Sequence, residues 1–152
     1  MKKYVVDAFR LFLPIILGSF VGFIIKNSID YNMLVKPAFS PSSVVFPIVW
    51  TILYLLMGIA YFLIKRNKKE DTENESFLYY AQLFVNLVWP IIFFVLKWYF
   101  TSIVWILLLL VLVIPMVLHF YEKNKWAGII MIPYVLWILF ATYLTIGVFI
   151  LN

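Results

Sequence analysis

The chain has 152 residues, of which 66% are apolar and 12% charged, with a formal net charge of +5 and a mean hydropathy of +1.04. So few polar groups cannot cover a water-facing surface, which excludes a soluble globular protein and makes the bilayer the natural solvent. The absence of cysteine excludes disulfides, thiolate metal sites and cysteine nucleophiles, and no nucleic-acid partner is expected.

Five apolar runs of about 20 residues, each near the ~30 Å of a hydrocarbon core, fill most of the length. The predicted fold is all-α, a single domain over residues 1–152 built as an integral membrane bundle of five transmembrane helices. The helices are expected at about 4–25, 44–64, 77–96, 100–120 and 126–151, with a lid-like loop at 27–43.

The first run follows Lys2 and Lys3 and holds Asp7 and Arg10 one turn apart, where each partly neutralises the other. It outlasts a signal peptide and no small-x-small cleavage site follows, so an uncleaved anchor is expected. Gly18-Ser19-Phe20-Val21-Gly22 matches GxxxG, which lets another helix approach closely; packing within the monomer is favoured over a homodimer seam. The segment 27–43 is too polar for lipid and carries Pro37 and Pro41, yet its interleaved Tyr31, Met33, Leu34, Val35 and Phe39 argue that it packs over something.

In the second run Trp50, Tyr54, Met57, Gly58 and Tyr61 share one helical face, a ring-rich stripe with a backbone gap. The charge run 65–75 reads as a solvated loop between helices. The third run sets Gln82, Asn86, Trp89 and Phe93 on one face, and amides in a membrane helix need partners, so that face looks into the bundle. Spacing leaves two readings open for the amides, structural glue and ligand contact.

The fourth run is almost uniformly aliphatic, with Pro115 as a candidate kink and His119 as an interfacial residue without assigned chemistry; no metal site is expected. The fifth places Pro133, Trp137, Ala141, Leu144 and Val148 on one face, with a notch at Ala141 between larger side chains. Inward faces of Trp, Tyr, Phe and a few amides, nearly free of ionisable groups, suit a large flat apolar ligand rather than an ion or a sugar.

Several linked motifs then carry a resemblance. Lys36-Pro37-x-Phe39-x-Pro41, Phe46-Pro47-Ile48-Val49-Trp50-Thr51-Ile52-Leu53-Tyr54 with Gly58, Gln82-Leu83-x-x-Asn86-x-x-Trp89 with Phe93-Phe94, and Pro133-Tyr134-x-x-Trp137-x-x-Phe140-Ala141-x-x-Leu144 occur in order along nearly the whole chain. In these the sequence resembles the TspO family, the tryptophan-rich sensory proteins related to the mitochondrial translocator protein or peripheral benzodiazepine receptor. The resemblance implies a five-helix bundle, often a homodimer, with a pocket near the first loop that takes porphyrins such as protoporphyrin IX, haem-like tetrapyrroles, isoquinoline and benzodiazepine drugs and in some members cholesterol. No cofactor is required. By position, the family's pocket residues fall on Tyr31, Trp50, Tyr54, Asn86, Trp89, Phe93, Trp137, Ala141 and Leu144.

The chain also departs from the family pattern. Asp30 stands where relatives commonly carry Trp before the loop tyrosine, Pro41-Ser42 replaces Pro-Pro, Trp105 occupies the position of a frequent acidic residue, and Leu144-Thr145 replaces Leu-Asn. No Lys or Arg follows Tyr143 to complete the family's sterol pattern, and looser matches at Leu118, Tyr121 and Lys123 and at Leu56, Tyr61 and Lys65 show how unspecific it is, so a dedicated cholesterol site is not expected.

Two functions follow as expectations. One is a protein that binds a tetrapyrrole for sensing, transport or regulation. The other is an enzyme promoting light-dependent degradation of protoporphyrin IX, with Trp50 and Trp137 as candidate catalytic residues by resemblance; no acid–base pair, metal cluster or nucleotide motif supports ordinary catalysis. Nine of the 12 Lys and Arg residues (Lys2, Lys3, Arg10, Lys65, Arg66, Lys68, Lys69, Lys123, Lys125) fall on one side, against Lys26, Lys36 and Lys97 on the other. The positive-inside rule then puts the N-terminus in the cytoplasm and the C-terminus outside.

Overall fold

The computed structural model describes residues 1–67 and 70–152. Lys68 and Lys69, which enter the orientation argument above, lie outside the described residues. The helices are α1 (Lys2–Ile25), α2 (Val45–Arg66), α3 (Glu73–Pro90), α4 (Tyr99–Lys123), α5 (Lys125–Ile129) and α6 (Ile132–Leu151). Counting α5 and α6 as one interrupted span, five stretches are long and apolar enough to cross a membrane.

Two features depart from uninterrupted helices. Pro90 offers no N–H to the carbonyl one turn back, and the backbone answers with a π-helical turn over Ile91–Val95, closed by Leu96 N–H donating to the Ile91 carbonyl at 3.0 Å. The fifth span breaks at Ile130 and Met131, between the short α5, capped by the Asn124 side chain on Trp126 N–H and Ala127 N–H, and α6 with Pro133 in its first turn. The third span also begins at Glu73 rather than 77, so part of the supposed solvated loop is helical. Within it Glu75 is buried, with His119 Nδ1 3.5 Å from its carboxylate.

Helices pack as α1 on α2, α3 on α4 and α4 on α6, while α5 lies across α4 and reaches α2. Glycine permits two of these approaches: a Cβ on Gly58 would run into the Leu11 backbone, and one on Gly128 into Tyr121. By contrast α2 makes little backbone contact with α3 and no close packing with α6. The core is therefore solid towards α5, around Tyr61, Tyr79 and Phe120, and open towards the other end.

That open end is roofed by segment 27–43, which is ordered by two single 3-10 turns and by bonds to distant elements. Asn152 closes a double bond on Val35, accepting its N–H at 3.0 Å and donating to its carbonyl at 2.8 Å, and the Tyr143 hydroxyl donates to the Ala38 carbonyl at 2.8 Å. Pro37 rests on Gly147 of α6, where any Cβ would collide with its ring. On the other flank Asp30 pairs with Lys97 at 2.6 Å. The same hydrogen bond holds the Asp30 carboxyl below its ordinary range and raises the Lys97 ammonium above its own.

Candidate functional site

Because α2 stands off from α3 and α6, a cavity of about 450 Å³ remains under the loop, between α1, α2, α3 with its π turn, and α6. Its volume falls in the range of small-molecule sites, roughly 300–1,000 Å³. Among the described residues the lining contains no Asp, Glu, Lys, Arg or His.

The wall is a run of rings. Tyr31 meets Phe46 edge-on at 5.0 Å, Phe46 meets Trp137 at 5.9 Å, Trp137 stands perpendicular to Trp50 at 6.5 Å, and Trp50 stacks on Tyr54 at 5.6 Å. Tyr31 itself is fixed by donating to the Pro41 carbonyl at 2.8 Å, with the Lys36 ammonium 4.6 Å above its ring. Trp89 stacks on Phe93 at 5.1 Å across the cavity's α3 side. The indole N–H groups of Trp89 and Trp137 are buried without an acceptor among the described residues, so these two side chains are held by packing rather than by hydrogen bonds.

The amides are bound into one network. Tyr54 O–H donates to Asn86 Oδ1 at 2.7 Å, Asn86 Nδ2 donates to the Tyr134 oxygen at 2.8 Å, and Tyr134 O–H donates to Gln82 Oε1 at 2.7 Å. Such a network meets the cost of polar groups in a membrane span and fixes how the Asn86 amide is oriented. Gln82 is fully buried off the cavity and serves as glue between α3 and α6, whereas Asn86 both joins three helices and borders the cavity.

Of the nine positions named from the resemblance, Tyr31, Trp50, Tyr54, Asn86, Trp89, Trp137 and Ala141 line the cavity. Phe93 and Leu144 are buried but lie outside the lining. For Phe93 the reason is the π turn: its extra residue per turn shifts the register by one, which brings Phe94 towards the side that carries Asn86, and Phe94 takes the lining position. Leu144 lies on the buried side of α6 with Ala141, Thr145 and Val148, one turn beyond the last lining residue Ala141, while Pro133 at the other end of the predicted face is exposed.

Sequence reasoning missed the contribution of α1, where Ile15, Gly18, Ser19, Gly22 and Ile25 recur at helical spacing along the cavity. That period was available, as was Phe46 one turn before Trp50. The GxxxG glycines divide their work: Gly18 lies against the Tyr54 ring, while a Cβ on Gly22 would meet nothing within 4 Å. Tyr134, the hub of the amide network, gave no sign beyond its place in a quoted motif.

The TspO/MBR family model matches residues 10–151. The chain is 35% identical to a tryptophan-rich protein TspO of Chlorobaculum tepidum over 124 residues, 80% of this chain and 78% of that one. It is 31% identical to a tryptophan-rich sensory protein of Cereibacter sphaeroides over 131 residues, 86% of this chain and 82% of that one. To the translocator protein of Homo sapiens it is 31% identical over 134 residues, 84% of this chain and 79% of that one. Five apolar spans, an aromatic cavity under the first loop and these likenesses agree, and the chain belongs to the TspO/MBR family, as a multi-pass integral membrane protein.

Proposed function

We propose that the cavity binds a flat, apolar tetrapyrrole, with protoporphyrin IX as the reference ligand, for sensing, transport or regulation. The observation that carries this reading is the lining itself: rings from four parts of the chain, one oriented amide and no ionisable side chain other than tyrosine. Aromatic faces stack a flat π system at low entropic cost, and a single amide orients it. Among the described residues the lining offers no His, Cys or Met to an iron atom, and the hydroxyls of its two tyrosines, Tyr31 and Tyr54, are committed to the Pro41 carbonyl and Asn86, so metal-free porphyrin fits it better than haem. The printed names of the relatives, sensory protein and translocator protein, are in keeping with a binding role.

Titration of the purified protein with protoporphyrin IX should quench tryptophan fluorescence saturably, because Trp50, Trp89 and Trp137 border the cavity. Quenching that rises without saturation, as in empty detergent micelles, would remove the reading. A second reading, light-dependent degradation of the porphyrin, draws on one observation, the oxidisable Trp50 and Trp137 rings 6.5 Å apart at the cavity wall. Illumination of the complex separates the two, since an enzyme yields a defined product at a protein-dependent rate. By the charge distribution the N-terminus is cytoplasmic, which a cytoplasm-dependent reporter fused to the C-terminus tests by staying silent.

A further inference from the structure

A second hollow lies beside the cavity, on the outer surface of the bundle between α2 and α6. Val49, Ile52 and Leu53 form one bank and Pro133, Leu136 and Phe140 the other; none carries a polar side chain, and Ile52 and Leu136 are exposed where lipid surrounds the protein. Among the described residues Trp137 alone borders both this groove and the central cavity. The wall between bilayer and cavity is thus thin here. The two helices do not pack closely, and among the described residues no hydrogen bond joins α2 to α6 directly, the nearest tie being the indirect one from Tyr54 through Asn86 to Tyr134; none holds the Trp137 indole. Its neighbours are rings in loose edge or tilted contact, Trp50 at 6.5 Å, Phe46 at 5.9 Å and Phe140 at 5.6 Å. The loop above, by comparison, is tied to α6 through Asn152 and Tyr143 and flanked by the Asp30–Lys97 pair.

From this we infer that the groove between α2 and α6 is a lateral passage, through which the cavity's flat apolar ligand moves between bilayer and cavity when the Trp137 ring swings aside. The inference rests on the porphyrin-binding reading. An apolar ligand partitions into lipid before it meets the protein, and a route through apolar groups spares it the polar loop. A gate changes the rates of binding and release together and leaves the equilibrium alone.

The test is stopped-flow quenching of tryptophan by protoporphyrin IX with the protein in lipid nanodiscs. Leu136→Trp fills the groove without touching the cavity lining, and should slow association and dissociation by the same factor, about tenfold, at unchanged affinity. Leu139→Trp, exposed on α6 outside the groove, should leave both rates as they were. Trp137→Phe keeps a ring but thins the wall, and should speed both. If Leu136→Trp alters neither rate, or alters affinity through dissociation alone, the passage is wrong, and the groove holds only lipid or is a direct binding subsite. Non-saturable quenching in the unaltered protein would remove the binding reading and the passage with it. Saturable binding with rates indifferent to Leu136 would remove the passage only.

Discussion

Two aromatic regions on the same bundle differ in one respect. Towards α5, Tyr61 and Tyr79 stack at 4.0 Å with planes 2° apart, Phe120 lies 6.4 Å from Tyr79, and all three are fully buried. Under the loop, Trp50 and Trp137 stand edge to face at 6.5 Å around open volume and are only half-buried. Trp50, Tyr54 and Tyr61 nonetheless belong to one stripe on α2. A periodic ring stripe marks the face a helix turns inward, and the distance of its neighbours decides whether that face meets a solid core or a hollow. Here α5 bridges α2 and α4 at one end, while at the other α2 parts from α6.

The contrast is most open to being broken by truncation. Phe120→Ala at the solid end leaves a void that the packed rings cannot fill, and should cost about 3–5 kcal/mol of stability. Trp50→Ala at the hollow end enlarges a space that already exists, and should cost less than half as much. Unfolding of the ligand-free variants in detergent reads both. Equal losses would mean that the loop end is packed as tightly as the other.

The stripe and a roofed pocket were legible in the sequence; the exact bounds of the hollow were not. Spans, inward faces at Trp50–Tyr54–Tyr61 and Gln82–Asn86–Trp89, and the loop as a roof all follow from hydropathy and period, because each sets apolar against polar positions. The break at Ile130 and Met131 does not, since hydropathy runs on unchanged across it. The π turn is equally silent: Pro90 stands at its start, but nothing in the residue pattern says that it would exchange Phe93 for Phe94 at the cavity. In α6 the expected face holds at Trp137, Ala141, Leu144 and Val148, and only Pro133 at its start is exposed; the buried Thr142 and Thr145, bonded back to the Ile138 and Ala141 carbonyls, were a polar sign of the inward side that the apolar spacing passed over. Glu75 was hidden for another reason, sitting in a charge run whose other described acidic members, Glu70, Asp71 and Glu73, are exposed.

The inward side of α6 sharpens a second experiment. Ala141 borders the cavity and Ile138 the solid core, so Ala141→Thr should weaken protoporphyrin IX binding about tenfold, or ~1.4 kcal/mol, with the bundle intact. Ile138→Thr should instead lower stability, by leaving a void and burying a hydroxyl in the packed core. Fluorescence titration and thermal unfolding, run on both variants, assign each residue to its region. A stable Ala141→Thr with unaltered affinity would place the ligand elsewhere.

Within the solid end lies a smaller effect. The Tyr79 hydroxyl is buried without a hydrogen-bond partner among the described residues. Removing it spares a desolvated polar group and leaves the stacked ring, so Tyr79→Phe should raise stability by about 1 kcal/mol. A loss on that substitution would show that the hydroxyl has a partner, and that the packed end is wetter than its burial suggests.

The smallest effect is expected at the roof, whose two edges are fastened differently. On one edge Val35, Pro37 and Ala38 dock on α6 through hydrogen bonds and a glycine contact; on the other there is a half-exposed ion pair. Exposed pairs contribute little, because water and salt screen them. The signs can be worked out: Asp30, already below 3.8, loses its charge only as pH falls through that lowered value, and Lys97, above 10.5, only as pH rises through its raised one. Any help from the pair is therefore constant between about pH 5 and 9 and is lost progressively beyond it, as pH falls towards the lowered Asp30 value or rises towards the raised Lys97 value. Hydrogen exchange at the Met33 and Leu34 amides, which bond to the Asp30 and Tyr31 carbonyls, should be slowed to the same extent at pH 6 and 8 once intrinsic rates are divided out. Asp30→Asn should change that protection less than about threefold, and Asn152→Ala, which frees both bonds to Val35, by more. If Asp30→Asn instead opens the segment tenfold while Asn152→Ala does nothing, the ion pair is the latch and α6 only a resting place.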